Sequence, residues 1–83
     1  MYQLRVASVR DGLHPSEVIV TLDTDQGQVN LAIDRASLTD NLIVVGYPVA
    51  KRDGQVLVEL PRETTSGLWR VWVEKTAVRV AVA

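Results

Sequence analysis

Apolar and polar residues alternate with a period of two along most of this chain, and short clusters of Gly, Asp, Pro and other turn formers interrupt the alternation. Successive side chains of a strand leave it on opposite faces, so this pattern calls for half-buried β-strands joined by tight turns. Periodicity and turn chemistry point the same way, which constrains the fold more than either does alone.

Tyr2, Leu4 and Val6 start an inward row on a first strand, which Asp11-Gly12 and His14-Pro15 break. A second strand, about Glu17 to Thr24, sends Val18, Val20 and Leu22 one way and Glu17, Thr21 and Asp23 the other. After a turn at Asp25-Gln26-Gly27, a third strand answers with Val29, Leu31 and Ile33. Centring the turn on Gln26-Gly27 sets Leu22 against Leu31 and Val20 against Ile33, apolar facing apolar. Asp34 to Asn41 loses the alternation and reads as a loop or single helical turn, with Asp34 or Ser37 as the candidate cap, crossing between two halves.

Leu42-Ile43-Val44-Val45 is continuously apolar, as in a strand buried on both faces or passing across the bottom of a barrel. Beyond a bend at Gly46, Tyr47 to Lys51 and Gln55 to Leu60 form a hairpin about Asp53-Gly54, pairing Val49 with Val58 and Tyr47 with Leu60. Pro48 marks an edge position there. A polar connection, Pro61 to Gly67, leads to a strand over Gly67 to Glu74, and a terminal strand from Ala77 to Val82 folds back on it across Lys75-Thr76, Val73 facing Val78 and Val71 facing Val80.

Seven short strands with one helical-turn crossover predict a single all-β domain over residues 1–83. Its expected architecture is a small closed or half-open antiparallel β-barrel, with a compact β-sandwich as the alternative. Closure would remove edges that the Val-rich terminal strand otherwise exposes; pairing of that strand across a dimer would do the same. No internal repeat of useful length, low-complexity tract or linker stands out.

A chain of 83 residues buries only about 60–65% of its unfolded surface, so the core is thin. Without Cys it has neither disulfides nor thiolate metal ligands to staple it, which makes association with a protein partner or a second copy an economical source of further burial. The net charge of −1 supplies no field for a phosphate backbone, so nucleic acid is not an expected partner. No apolar stretch approaches the roughly 20 residues that span a bilayer. Met1-Tyr2-Gln3-Leu4-Arg5 does not open like a secretion signal, so the expected location is the cytoplasm.

No catalytic constellation is legible. His14, the sole histidine, sits beside Pro15 in a turn and reads as an exposed loop residue. Asp23, Asp25 and Asp34 faintly echo a calcium loop, but Gly27 and Gln28 occupy positions where that motif demands a ligand and a glycine, and the flanks are strands. Neither cofactor nor metal is expected, and the chain reads as a non-enzymatic protein.

Both tryptophans fall on the Gly67 to Glu74 strand, three residues apart and therefore on opposite faces. Trp69 shares the core row with Val71 and Val73, whereas Trp72 leaves the other side beside Arg70 and Glu74. Arg and Trp are the types most enriched in binding hot spots. The candidate binding residues are accordingly Arg70 and Trp72, with Leu57 and Glu59 on the outward row of the preceding hairpin, which only strand order can bring alongside, and Arg62 in the connection from that hairpin to the Trp strand. The alternative is a barrel binding single-stranded nucleic acid, with Trp72 and Tyr47 stacking on bases and Lys51, Arg52, Arg62 and Arg70 on phosphates.

Overall fold

The computed structural model describes Met1 to Val80. The fold is all-β. Its strands are β1 (Tyr2–Arg5), β2 (Ser8–Asp11), β3 (Glu17–Thr24), β4 (Gly27–Asp34), β5 (Leu38–Thr39), β6 (Leu42–Val45), β7 (Ala50–Arg52), β8 (Gln55–Glu59), β9 (Arg70–Glu74) and β10 (Val78–Val80), with 3-10 turns at Arg35–Ser37 and Lys75–Ala77. They form three antiparallel sheets, ordered β10-β1-β6-β5, β2-β3-β4 and β7-β8-β9, and no closed barrel is formed among the described residues. No helix is long and apolar enough to cross a membrane among those residues.

Two hairpins follow the alternation. β7 and β8 pair Ala50 with Leu57 and Arg52 with Gln55, the register expected around Asp53-Gly54, with Gly54 in the left-handed region at φ 68°. β7 is an edge strand and Pro48 lies just before it, where a missing N–H costs no ladder bond. In the β3–β4 hairpin the faces are as expected but the partners slide by two residues: Leu22 faces Val29 and Val20 faces Leu31. The turn is Asp25-Gln26, because Gly27 takes the positive φ of 96° and the Thr24 hydroxyl donates to the Gly27 carbonyl at 2.7 Å.

Elsewhere the alternation misled. The first inward row is split into β1 and β2, with Val6 donating to the Asn41 carbonyl and Ala7 to that of Thr21 as the chain passes from one sheet to the next. β6 is buried on one face only: Ile43 and Val45 are buried, and Val44 is 45% exposed. β10 does not fold back on β9. The 3-10 turn at Lys75–Ala77 redirects the chain into the central sheet, where Val78 faces Leu4 and Val80 faces Tyr2. Within the chain β10 thus pairs with β1, and the rest of the predicted terminal strand, Ala81 and Val82, lies outside the described residues.

The sheets also contain a repeat that composition does not announce. Val18 faces Ile33 across β3–β4 as Val56 faces Val73 across β8–β9, and Val20 faces Leu31 as Val58 faces Val71. Asp34 and Glu74 enter the 3-10 turns with matching torsions, φ −65° and ψ 136° against φ −60° and ψ 135°. The first residue of each turn donates to the loop before the preceding hairpin: Arg35 to the Ser16 carbonyl at 2.8 Å, Lys75 to that of Gly54 at 2.9 Å. β1 and β6 are the corresponding strands, and they pair antiparallel with Leu4 directly against Ile43, so an approximate two-fold axis passes through that pair.

Every buried apolar side chain among the described residues has a buried counterpart under this relation: Leu4 and Ile43, Val6 and Val45, Val18 and Val56, Val20 and Val58, Leu22 and Leu60, Leu31 and Val71, Ile33 and Val73. The halves interlock, because β5 of the first pairs with β6 of the second while β10 of the second pairs with β1 of the first. They differ in their loops. The first half has its long loop between β2 and β3, the second between β8 and β9.

Candidate interaction surface

The outward face of β7-β8-β9 gathers most of the candidate binding residues. Leu57 stands directly opposite Trp72, and Ala50 opposite Leu57, so three half-buried apolar side chains cross the sheet in one row. Glu59 stands opposite Arg70 and accepts from its Nε at 3.1 Å, with Nη2 at 3.0 Å. Both partners are at least half exposed, so the pair fixes geometry more than it adds stability. Arg62 is not part of this face. It lines a separate cleft of about 420 Å³ with Met1, Gln3 and Asp34.

Arg52, expected only as a phosphate contact in the nucleic-acid alternative, lies over the Trp72 ring with its guanidinium carbon 4.1 Å from the centroid. Its Nε donates to Gln55 at 2.8 Å and its Nη2 to Asp25 at 2.6 Å. Asp25 belongs to the β3–β4 turn, whose backbone N–H also donates to the Trp72 carbonyl at 3.1 Å. The Arg52 position was available from the hairpin register, since Arg52 faces Gln55 on the same side as Leu57. Asp25 was not, because it arrives from another sheet.

The two tryptophans divide differently from expectation. Trp69 is 54% exposed, although it continues the row of Val71 and Val73. β9 begins only at Arg70; the Trp69 carbonyl still accepts from the Leu60 N–H at 2.8 Å, but it is Leu68, not the Trp69 ring, that packs against the core. Trp72 is half-buried beneath Arg52.

The other candidate groups are dispersed. His14 is exposed, its Nδ1 2.7 Å from the Ser16 hydroxyl. Asp23 accepts from Gln28, Asp25 is held by Arg52, and Asp34 precedes the first 3-10 turn, so these carboxylates do not converge. Tyr47 is 74% exposed and meets Tyr2 edge to face, with centroids 5.1 Å apart.

No protein-family model, curated protein or solved structure matches the chain.

Proposed function

We propose that this chain is a non-enzymatic interaction module, a half-open barrel that binds a protein partner or a second copy of itself through the outward face of β7-β8-β9. The observation that carries this reading is the cross-strand contact of Leu57 with Trp72, flanked by Ala50 on one side and by the Arg70–Glu59 pair along the strands. An amphipathic aromatic in a row of apolar side chains, bordered by oriented charges, is the usual anatomy of an interface centre with a polar rim. Arg52 covers the ring in the free protein. Its planar guanidinium can stay stacked on Trp72 while its edge is offered to a partner.

The test is light scattering behind size exclusion over a range of concentrations, on the wild type and on Trp72→Ala, with circular dichroism recorded on both. A dimer that is lost in a still-folded variant supports self-association; a wild-type monomer directs the face to another protein. Unfolding of Trp72→Ala would sink the reading, because the ring would then be core and not contact surface.

A further inference from the structure

The two-fold relation between the halves allows one half to serve as the control for the other. In the first half, Asp11 on edge strand β2 and Arg35 at the start of the 3-10 turn form an ion pair at 3.1 Å, and Arg35 also donates to the Pro15 carbonyl at 3.1 Å. Asp11 faces Val18, and its counterpart Lys51 on β7 faces Val56. The counterpart of Arg35 is Lys75, the first residue of the second turn. Where one half bridges the gap with opposite charges, the other sets two ammonium groups there.

These two lysines line a groove of about 210 Å³ together with Tyr2, Pro48, Val56, Val78 and Val80; Arg79 also borders it, although strand alternation sends its side chain to the Gln3 face of β10. Among the described residues, no Asp or Glu lines it. None of the three cations takes part in an ion pair among the described residues. The groove is bordered by β7 and β10, which are edge strands among the described residues. Its volume is below the range of small-molecule pockets, but an unpaired strand edge beside a narrow apolar floor accepts an extended chain by adding it to the sheet.

We propose that this groove docks an extended acidic segment of a partner protein, which adds alongside β10 and places carboxylates on Lys51 and Lys75. Backbone bonds to the β10 edge supply register, the floor takes the apolar side chains of the segment, and the cations select for acid. This surface is separate from the Trp72 face.

The experiment uses a blocked pentapeptide, acetyl-Glu-Val-Glu-Val-Glu-amide, and its counterpart with Gln in place of Glu, titrated at low salt while amide NMR shifts are followed. The acidic peptide is expected to shift the amides of residues 78–80, to weaken as salt rises, and to bind more tightly than the Gln peptide. The double variant Lys51→Asp, Lys75→Arg transplants the ion pair of the first half and is expected to lower affinity about tenfold or more. If that variant does not fold, Lys51→Gln with Lys75→Gln replaces it under the same expectation. Trp72→Ala is expected to leave the peptide affinity unchanged. Equal binding of both peptides, shifts that avoid β10, unchanged affinity in the folded lysine variant, or tighter binding of a mixed-sequence oligonucleotide to the same residues would each overturn the proposal.

Discussion

Val20 and Val58 are both fully buried, and they occupy corresponding places in the two halves, Val20 opposite Leu31 and Val58 opposite Val71. Truncating either to Ala removes two methyl groups, worth about 1.6 kcal/mol of transfer free energy at roughly 0.8 kcal/mol each. The unfilled space left behind adds a cavity term, bringing the cost to about 2–3 kcal/mol. A chain of this size holds on the order of 4–12 kcal/mol in all, so each variant loses a large share and its melting temperature falls by about 10–20 °C. Urea titration followed in parallel by far-ultraviolet circular dichroism and by tryptophan fluorescence measures this. Both tryptophans belong to the second half, whereas Val20 lies in the first. Because β10 pairs with β1 and β5 with β6, the halves have no separate way to unfold, and the two signals of Val20→Ala are expected to change together. Costs for Val20→Ala and Val58→Ala that differ by more than about 1.5 kcal/mol, or transitions that separate by probe, would refute the two-fold argument.

Three smaller perturbations follow from the same geometry. Arg52→Ala removes the cation over Trp72 and the bond to Asp25; Arg52 is 47% exposed, so after screening the expected cost is about 0.5–1.5 kcal/mol, with a red shift of tryptophan emission as the check. Val44→Ala, on the open face of the central sheet, is expected to cost under about 1 kcal/mol in urea titration, whereas Ile43→Ala beside it costs about 2–5 kcal/mol. Gly54→Ala meets no atom within 4 Å but must hold φ 68°, so a loss of about 1 kcal/mol is expected from strain alone, and Gly54→Asn should recover most of it in thermal melts.

What could be read from the residues was local. The alternation at Glu17 to Thr24 and the Asp53-Gly54 turn each specify a hairpin through neighbours a few positions apart, and both hairpins form, one in the expected register. The register of β3–β4 slipped by two because faces are preserved under that shift, so the apolar pattern could not discriminate; the decision lay with the φ of Gly27. Lys75-Thr76 resembles a hairpin turn in composition, yet its closest structural relative is Arg35-Ala36, a 3-10 turn with almost no residue identity to it. The repeat is hidden in the sequence because its identical interior counterparts, such as Val18 with Val56 and Leu22 with Leu60, are residue types common along the whole chain, others are only similar, such as Leu4 with Ile43, and the surface diverges, as at Asp11 and Lys51. On the candidate site, strand alternation put Arg70 with Trp72 on one outward row and hairpin register put Leu57 with Glu59 on another, but that the two rows adjoin depended on the pairing of β8 with β9, which the residues did not reveal. Arg62 depended on the path of a loop, and Asp25 on packing between sheets, which no local rule encodes.

The interlocking of β1 with β10 also has a temporal side. Tyr2 finds its partner Val80 only after almost the whole chain is available, while β3–β4 and β7–β8–β9 close through contacts between near neighbours. During synthesis the outer sheets can therefore form early, and the central sheet must wait, with one edge of β1 unsatisfied, until the last described strand emerges. Folding of this small domain is expected to be slow for its length, with the central sheet closing last.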